Sequence, residues 1–151
     1  MTLREKLANW LLNGIHQAAN TGLDIHQMQT QYNATKERVL GIELTDIKLR
    51  KNFKIANGRI RLVRDPPAAV LQLSLDTLLN IIDGKIRVKQ QDGAFEVESY
   101  TPFDAWRRGE LVIVTENPDE GWLSDLTLFS NEIWQRAFPV LKRFRRKRRD
   151  N

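Results

Sequence analysis

At 151 residues, with 41% hydrophobic and 28% charged residues, the chain has the size and composition of one globular domain. It has no cysteine, which excludes disulfides, thiolate metal sites and cysteine nucleophiles. The net charge of +5 is local: seven of the 24 lysines and arginines lie in residues 142–149, and the residues before Lys142 carry 17 bases against 18 acids.

Taken in chain order, the first predicted element is an amphipathic helix over about residues 3–19. Leu3, Leu7, Trp10, Leu11, Ile15 and Ala18 fall at helical spacing and Thr2 is placed to cap it. Gly14 within it costs about 1 kcal/mol of helix propensity. Leu23, Ile25, Gln27 and Gln29 then alternate with polar neighbours, which predicts a weakly patterned strand over 23–30. Residues 39–50, VLGIELTDIKLR, alternate clearly, but Ile42 and Leu44 lie on the opposite parity from Ile47 and Leu49. A bulge or strong bend near Thr45 and Asp46 accounts for that flip. Asn57-Gly58 predicts a tight turn into a hairpin partner over 59–63, and Asp65-Pro66-Pro67 breaks the chain.

The stretch from residue 68 to 99 predicts strand, short helix, strand, turn and strand. Val70, Leu71 and Leu73 lead into Leu75, Leu78, Leu79 and Ile82 at helical spacing, with Ser74 as cap and Gly84 as stop. Ile86 and Val88 return to alternation, and Phe95 and Val97 follow after a turn. Residues 100–108 predict a loop in which Phe103 and Trp106 pack one helical turn. Residues 111–114, LVIV, predict a buried strand, and NPDEG an acidic loop. A last helix begins near Ser130, with Ile133, Trp134, Ala137, Phe138, Leu141 and Phe144 on one stripe and a kink at Pro139.

The fold class is therefore α+β. An N-terminal amphipathic helix packs on a curved, mainly antiparallel sheet with a short strand-helix-strand insertion, and a basic helix ends the chain. Residues 1–140 form one domain and 141–151 a basic tail.

Catalytic chemistry finds no support. His16 and His26 lack any ligand spacing, and no nucleophile elbow, phosphate loop or dinucleotide fingerprint occurs. The acidic pair Asp119-Glu120 sits in a turn without a partner motif. The sequence reads as a binding protein without enzymatic activity, metal or cofactor. Its strands each offer one apolar face, with few helices to cover them. Ile42, Leu44, Leu71, Leu73, Leu75, Ile86 and Val88 are the candidate lining of a lipid groove, since such pockets are mostly apolar.

Two lines carry a resemblance: Gly41-Ile42-Glu43-Leu44-Thr45-Asp46-Ile47-Lys48-Leu49, and Leu73-Ser74-Leu75-Asp76-Thr77-Leu78-Leu79 followed by Gly84-Lys85-Ile86-Arg87-Val88. Over roughly residues 3–98 this pattern resembles the LmeA-like phospholipid-binding proteins and the N-terminal modules of AsmA-like proteins. The resemblance implies lipid contact by a β-groove on or near a membrane. The segment LSLDTLLNIIDGKI also resembles a sterol-carrier-like domain.

The C-terminal run fits three readings: a membrane-bound helix, a nucleic-acid or ribosome contact, and a solvated tail. Trp134, Phe138, Leu141 and Phe144 beside Lys142, Arg143, Arg145, Arg146, Lys147, Arg148 and Arg149 form the pattern of an interfacial helix on an anionic phospholipid membrane. The alternative partner is nucleic acid or the ribosome, bound through the same charges. No apolar run reaches the roughly 20 residues that span a bilayer, and MTLREKLANWLLNG lacks a signal core. These features predict a cytoplasmic protein, peripheral on a membrane.

Overall fold

The computed structural model describes residues 1–34 and 36–150, with side chains as far as Arg143. Helix α1 (Leu3–Gly22) starts at a capping box in which Thr2 accepts from the Glu5 N–H and Glu5 accepts from the Thr2 N–H. It buries Ala8, Leu11, Leu12, Ile15, Ala18 and Ala19 along one side.

The weak strand expected over 23–30 is instead a helix, α2 (Ile25–Gln31). Half of its alternating positions were glutamines, so the period of two had little apolar force behind it. Asp24 caps the helix by accepting from the Gln27 N–H, and Ile25, Met28 and Gln29 are buried at helical spacing.

The parity flip in residues 39–50 is a reversal of the chain, where a bulge or bend was expected. Strands β1 (Val39–Leu44) and β2 (Leu49–Ala56) form an antiparallel hairpin around residues 45–48, with Lys48 in the left-handed region at φ 58°. Asn57 and Gly58, at φ 54° and 73°, turn the chain into β3 (Arg59–Val63) as the dipeptide predicts. Strand β4 (Ala69–Leu73) then pairs parallel to β1. Helix α3 (Leu75–Asp83) follows, capped by Ser74 and closed by Gly84 at φ 75°.

Strands β5 (Lys85–Lys89) and β6 (Phe95–Ser99) form a separate two-stranded sheet. Helix α4 (Pro102–Arg107) occupies the expected loop, and its Phe103 and Trp106 are exposed where packing was predicted. Strand β7 (Leu111–Thr115) joins β4 at the sheet edge. Its Leu111 is buried but Val112 is exposed, so it is less buried than four consecutive apolar residues suggested. The main sheet runs β3-β2-β1-β4-β7, antiparallel except for β1 and β4.

Register divides the sheet into two faces. Leu40, Ile42 and Leu44 stand beside Ala69, Leu71 and Leu73 on the inner face. On the outer face Arg50 reaches Glu116 at 2.8 Å, and Gln72 donates to Glu43 at 3.0 Å.

The chain ends in α5 (Trp122–Thr127), a π-helical turn (Leu128–Ile133) and α6 (Trp134–Asp150). The π turn has a sequence basis. Leu128 and Phe129 repeat as Ile133 and Trp134, five residues on, and all four are buried. A five-residue step keeps both pairs on one side only if the helix widens there.

Candidate functional site

The proposed groove residues separate into two groups. Ile42, Leu44, Leu71, Leu73 and Leu75 are all buried, in one cluster with α1, the π turn and α6. An aromatic series fills the space: Phe53 lies 5.8 Å from Phe129, Phe129 5.7 Å from Trp134, and Trp134 5.4 Å from Phe138. The expected open groove is therefore closed by the protein's own side chains. Ile86 and Val88 lie apart on β5, half-buried, with Ile86 packed at the margin of the core.

The aromatic stripe of the last helix is corrected for the same reason. Trp134, Phe138 and Leu141 are 0%, 3% and 1% exposed, so none of them faces out to meet a membrane. An interfacial helix and a core helix share one sequence pattern, and here α1 and α3 supply the covering surface. Lys142 is half-buried and Arg143 exposed. The side chains of Phe144, Arg145, Arg146, Lys147, Arg148 and Arg149 lie outside the described residues.

What the fold does bring together is a cleft of about 350 Å³ between α3, α4 and α6. Ile81, Ile82, Pro102, Phe138 and Pro139 supply its apolar walls, and Thr101, Gln135 and Lys142 its rim. Local rules position each wall. The glycine stop after α3 places Ile81 and Ile82 in the final turn. A capping box between Thr101 and Asp104 starts α4 with Pro102 in its first turn. Pro139 has no N–H to offer the carbonyl of Gln135 four residues back, which leaves an acceptor beside the cleft.

Two polar groups stand out there. The Tyr100 hydroxyl is shut away from solvent beside Glu110 and Thr77 without a hydrogen bond of full geometry, and burial pushes its pKa up, with Glu110 adding to the rise. Lys142 Nζ sits 3.4 Å from the Asp83 carbonyl and 3.8 Å from its carboxylate. An apolar cleft with a cation at its rim suits an acyl chain carrying an anionic head. Of two other clefts, one of about 500 Å³ is lined largely by polar side chains such as Gln17, Asn20, Arg59 and Arg61, and one of about 510 Å³ mixes Met1, Trp10 and Leu141 with Lys6, Asn9 and Asn13.

Among the described residues the two histidines stand apart. His16 is half-buried beside the Phe53 ring, 6.1 Å between centroids, and burial holds its pKa below the ordinary value. His26 is exposed on α2. Among the described residues no cluster of three or more potential ligands for a metal occurs.

The feature the sequence hid is an ion cluster that joins the buried Arg38 and Asp125 to the exposed Asp119. The Arg38 guanidinium donates to Asp119 at 2.7 and 3.1 Å, to Asp125, and to the carbonyls of Glu120 and Gly121. It pins the acidic loop and α5 to the entry of β1. Only Asp119-Glu120 had been noted, and nothing in local pattern connects that loop to residue 38.

No family model matches the chain, and no curated protein matches it. Solved structures do. A "UbiJ-SCP2 Ubiquinone synthesis protein" is similar at 12% identity and TM-score 0.52, covering 82% of this chain and 96% of its own. The crystal structure of sterol carrier protein 2 is similar at 15% identity and TM-score 0.52, covering 82% and 93%. At these identities the shared feature is the fold, that of sterol carrier protein 2.

Proposed function

We propose that the protein is a non-enzymatic lipid binder that takes an acyl-chain lipid in the cleft between α3, α4 and α6. The observation that carries this reading is the pairing of apolar walls, Ile81, Ile82, Phe138 and Pro139, with Lys142 at the mouth. The chain of the ligand lies along those walls and displaces water from them, a gain of about 25 cal/mol per Å² of apolar surface. Its anionic head pairs with Lys142, which exchanges the loose contact with Asp83 for a charge-assisted hydrogen bond. Thr101 and Gln135 at the rim offer polar atoms to the head group.

The fold supports this reading because it is shared with sterol carrier protein 2. This reading puts the lipid contact implied by the β-groove resemblance in the cleft and not on the open sheet. Such a binder collects its ligand at a membrane, working peripherally from the cytoplasmic side.

Titration of the full chain with a fluorescent polyene fatty acid tests the reading. One saturable site is expected, weakened about tenfold by Lys142→Gln, since a charge-assisted hydrogen bond is worth about 1.5–3 kcal/mol. Gln135→Trp, at an exposed rim position, is expected to block the cleft while leaving stability unchanged. Absence of saturable binding, or identical binding by the Trp variant, contradicts the assignment.

A further inference from the structure

We propose that one face of the β5–β6 hairpin docks on an anionic phospholipid bilayer. Register decides its chemistry. Lys85 pairs with Ser99, Arg87 with Val97 and Lys89 with Phe95, and paired residues share a face. Ile86 with Glu98 and Val88 with Glu96 share the other. The period of two thus sorts the hairpin by sign. Three cations stand with Phe95 and Val97 on one side, and two carboxylates stand with Ile86 and Val88 on the other. Ile86 packs against the core, which turns its own face inward and the cationic face away from the body.

That outward face is open. Phe95 and Val97 are 59% and 62% exposed, and Lys85, Arg87 and Lys89 are exposed as well. The Arg87 guanidinium lies over the Phe95 ring, 4.9 Å from its centroid. Among the described residues no ion pair engages any of the three cations.

Exposed apolar side chains bordered by unpaired Lys and Arg match a boundary between acyl chains and anionic head groups. The apolar groups enter the boundary while the long cationic stems reach back to phosphate. A nucleic-acid strand finds only one ring here, whereas single-strand binders stack successive bases on several. Charged edges also disfavour addition of a partner's strand. The foot of the hairpin adjoins the α3–α4–α6 cleft, because the Tyr100 N–H donates to the Gly84 carbonyl at 2.9 Å and both residues line that cleft. The docking surface itself does not depend on the cleft being occupied.

The absence of cysteine makes the test clean, since Val97→Cys and Glu98→Cys each give a single thiol for an environment-sensitive fluorophore on the full chain. With vesicles of mixed phosphatidylglycerol and phosphatidylcholine, the probe at 97 should shift to the blue and be quenched from the acyl region. The probe at 98 should not. The triple variant Lys85→Gln, Arg87→Gln, Lys89→Gln should lose about a hundredfold in partition onto these vesicles. Flotation with an unchanged probe at 97 assigns membrane binding to the C-terminal run and overturns the proposal. So do equal responses at 97 and 98, an equal response to phosphatidylcholine alone, or a response at 97 confined to an added oligonucleotide.

Discussion

A Cβ built on Gly14 falls 2.7 Å from Cδ1 of Leu141. This relationship explains why α1 tolerates glycine in its interior: the missing side chain lets α6 pack closely against α1. Gly14→Ala gains about 1 kcal/mol of helix propensity but forces the buried Leu141 to move. The substitution should destabilise the protein, and its cost should shrink in a Leu141→Ala background. A coupling energy of at least about 0.5 kcal/mol in urea denaturation is expected, and additive effects contradict the contact.

Arg38 and Asp125 form a pair whose side chains are only 7% and 6% exposed. Removing the cation leaves a buried carboxylate with no counter-charge. Arg38→Met should therefore cost about 3–5 kcal/mol, and the Arg38→Met, Asp125→Leu double variant should recover most of it. Equilibrium unfolding of the three proteins measures both effects. A loss under about 1 kcal/mol for the single variant shows that the loop is held by other contacts.

Acid should find the same cluster. Hydrogen bonds from Arg38 hold the Asp119 carboxyl below its ordinary pKa, and the Thr101 backbone and hydroxyl do so for Asp104. Each folded value lies below the unfolded one, so the stabilisation is present above the ordinary carboxylate range and lost as pH falls through the folded values. Asp125, pushed up by burial against the pull of Arg38, acts in the opposite sense as pH rises past its unfolded value. The Asp104→Asn, Asp119→Asn double variant should be less stable at pH 7 and show a flatter loss below about pH 4. Urea midpoints across that range give the comparison.

Tyr100 separates stability from binding. Its buried hydroxyl makes no hydrogen bond of full geometry to the neighbouring Glu110 and Thr77, so Tyr100→Phe should leave stability unchanged or raise it by about 1 kcal/mol. Because the hydroxyl is shut away from the cleft, the same variant should bind fatty acid unchanged. Thermal melts beside the fatty-acid titration measure the two. A large loss of stability shows that the hydroxyl is already satisfied within the fold.

Much of the fold was legible because its elements obey local rules. Ser74 and Gly84 marked α3 at both ends, Asn57-Gly58 marked a hairpin turn, and Thr2 marked the start of α1. Elements were missed where the signal was shared or weak. The parity flip after Leu44 is common to a bulge and a hairpin, and only pairing with Leu49 decides between them. The 23–30 segment carried too few apolar residues to fix a period. For the site, the apolar residues expected to line a groove are core residues. The stripe of Trp134, Phe138 and Leu141 reads alike whether it meets lipid or α1, since burial depends on partners far along the chain. The LSLDTLLNIIDGKI segment, the briefer of the two resemblances, pointed to the fold that the solved structures share.

Native mass spectrometry of the full chain, purified under mild conditions from the cells that produce it, tests lipid binding most directly. A single lipid adduct, released on collisional activation and absent from Gln135→Trp, is the predicted result. A bare protein mass, or the same adduct on both proteins, contradicts the account.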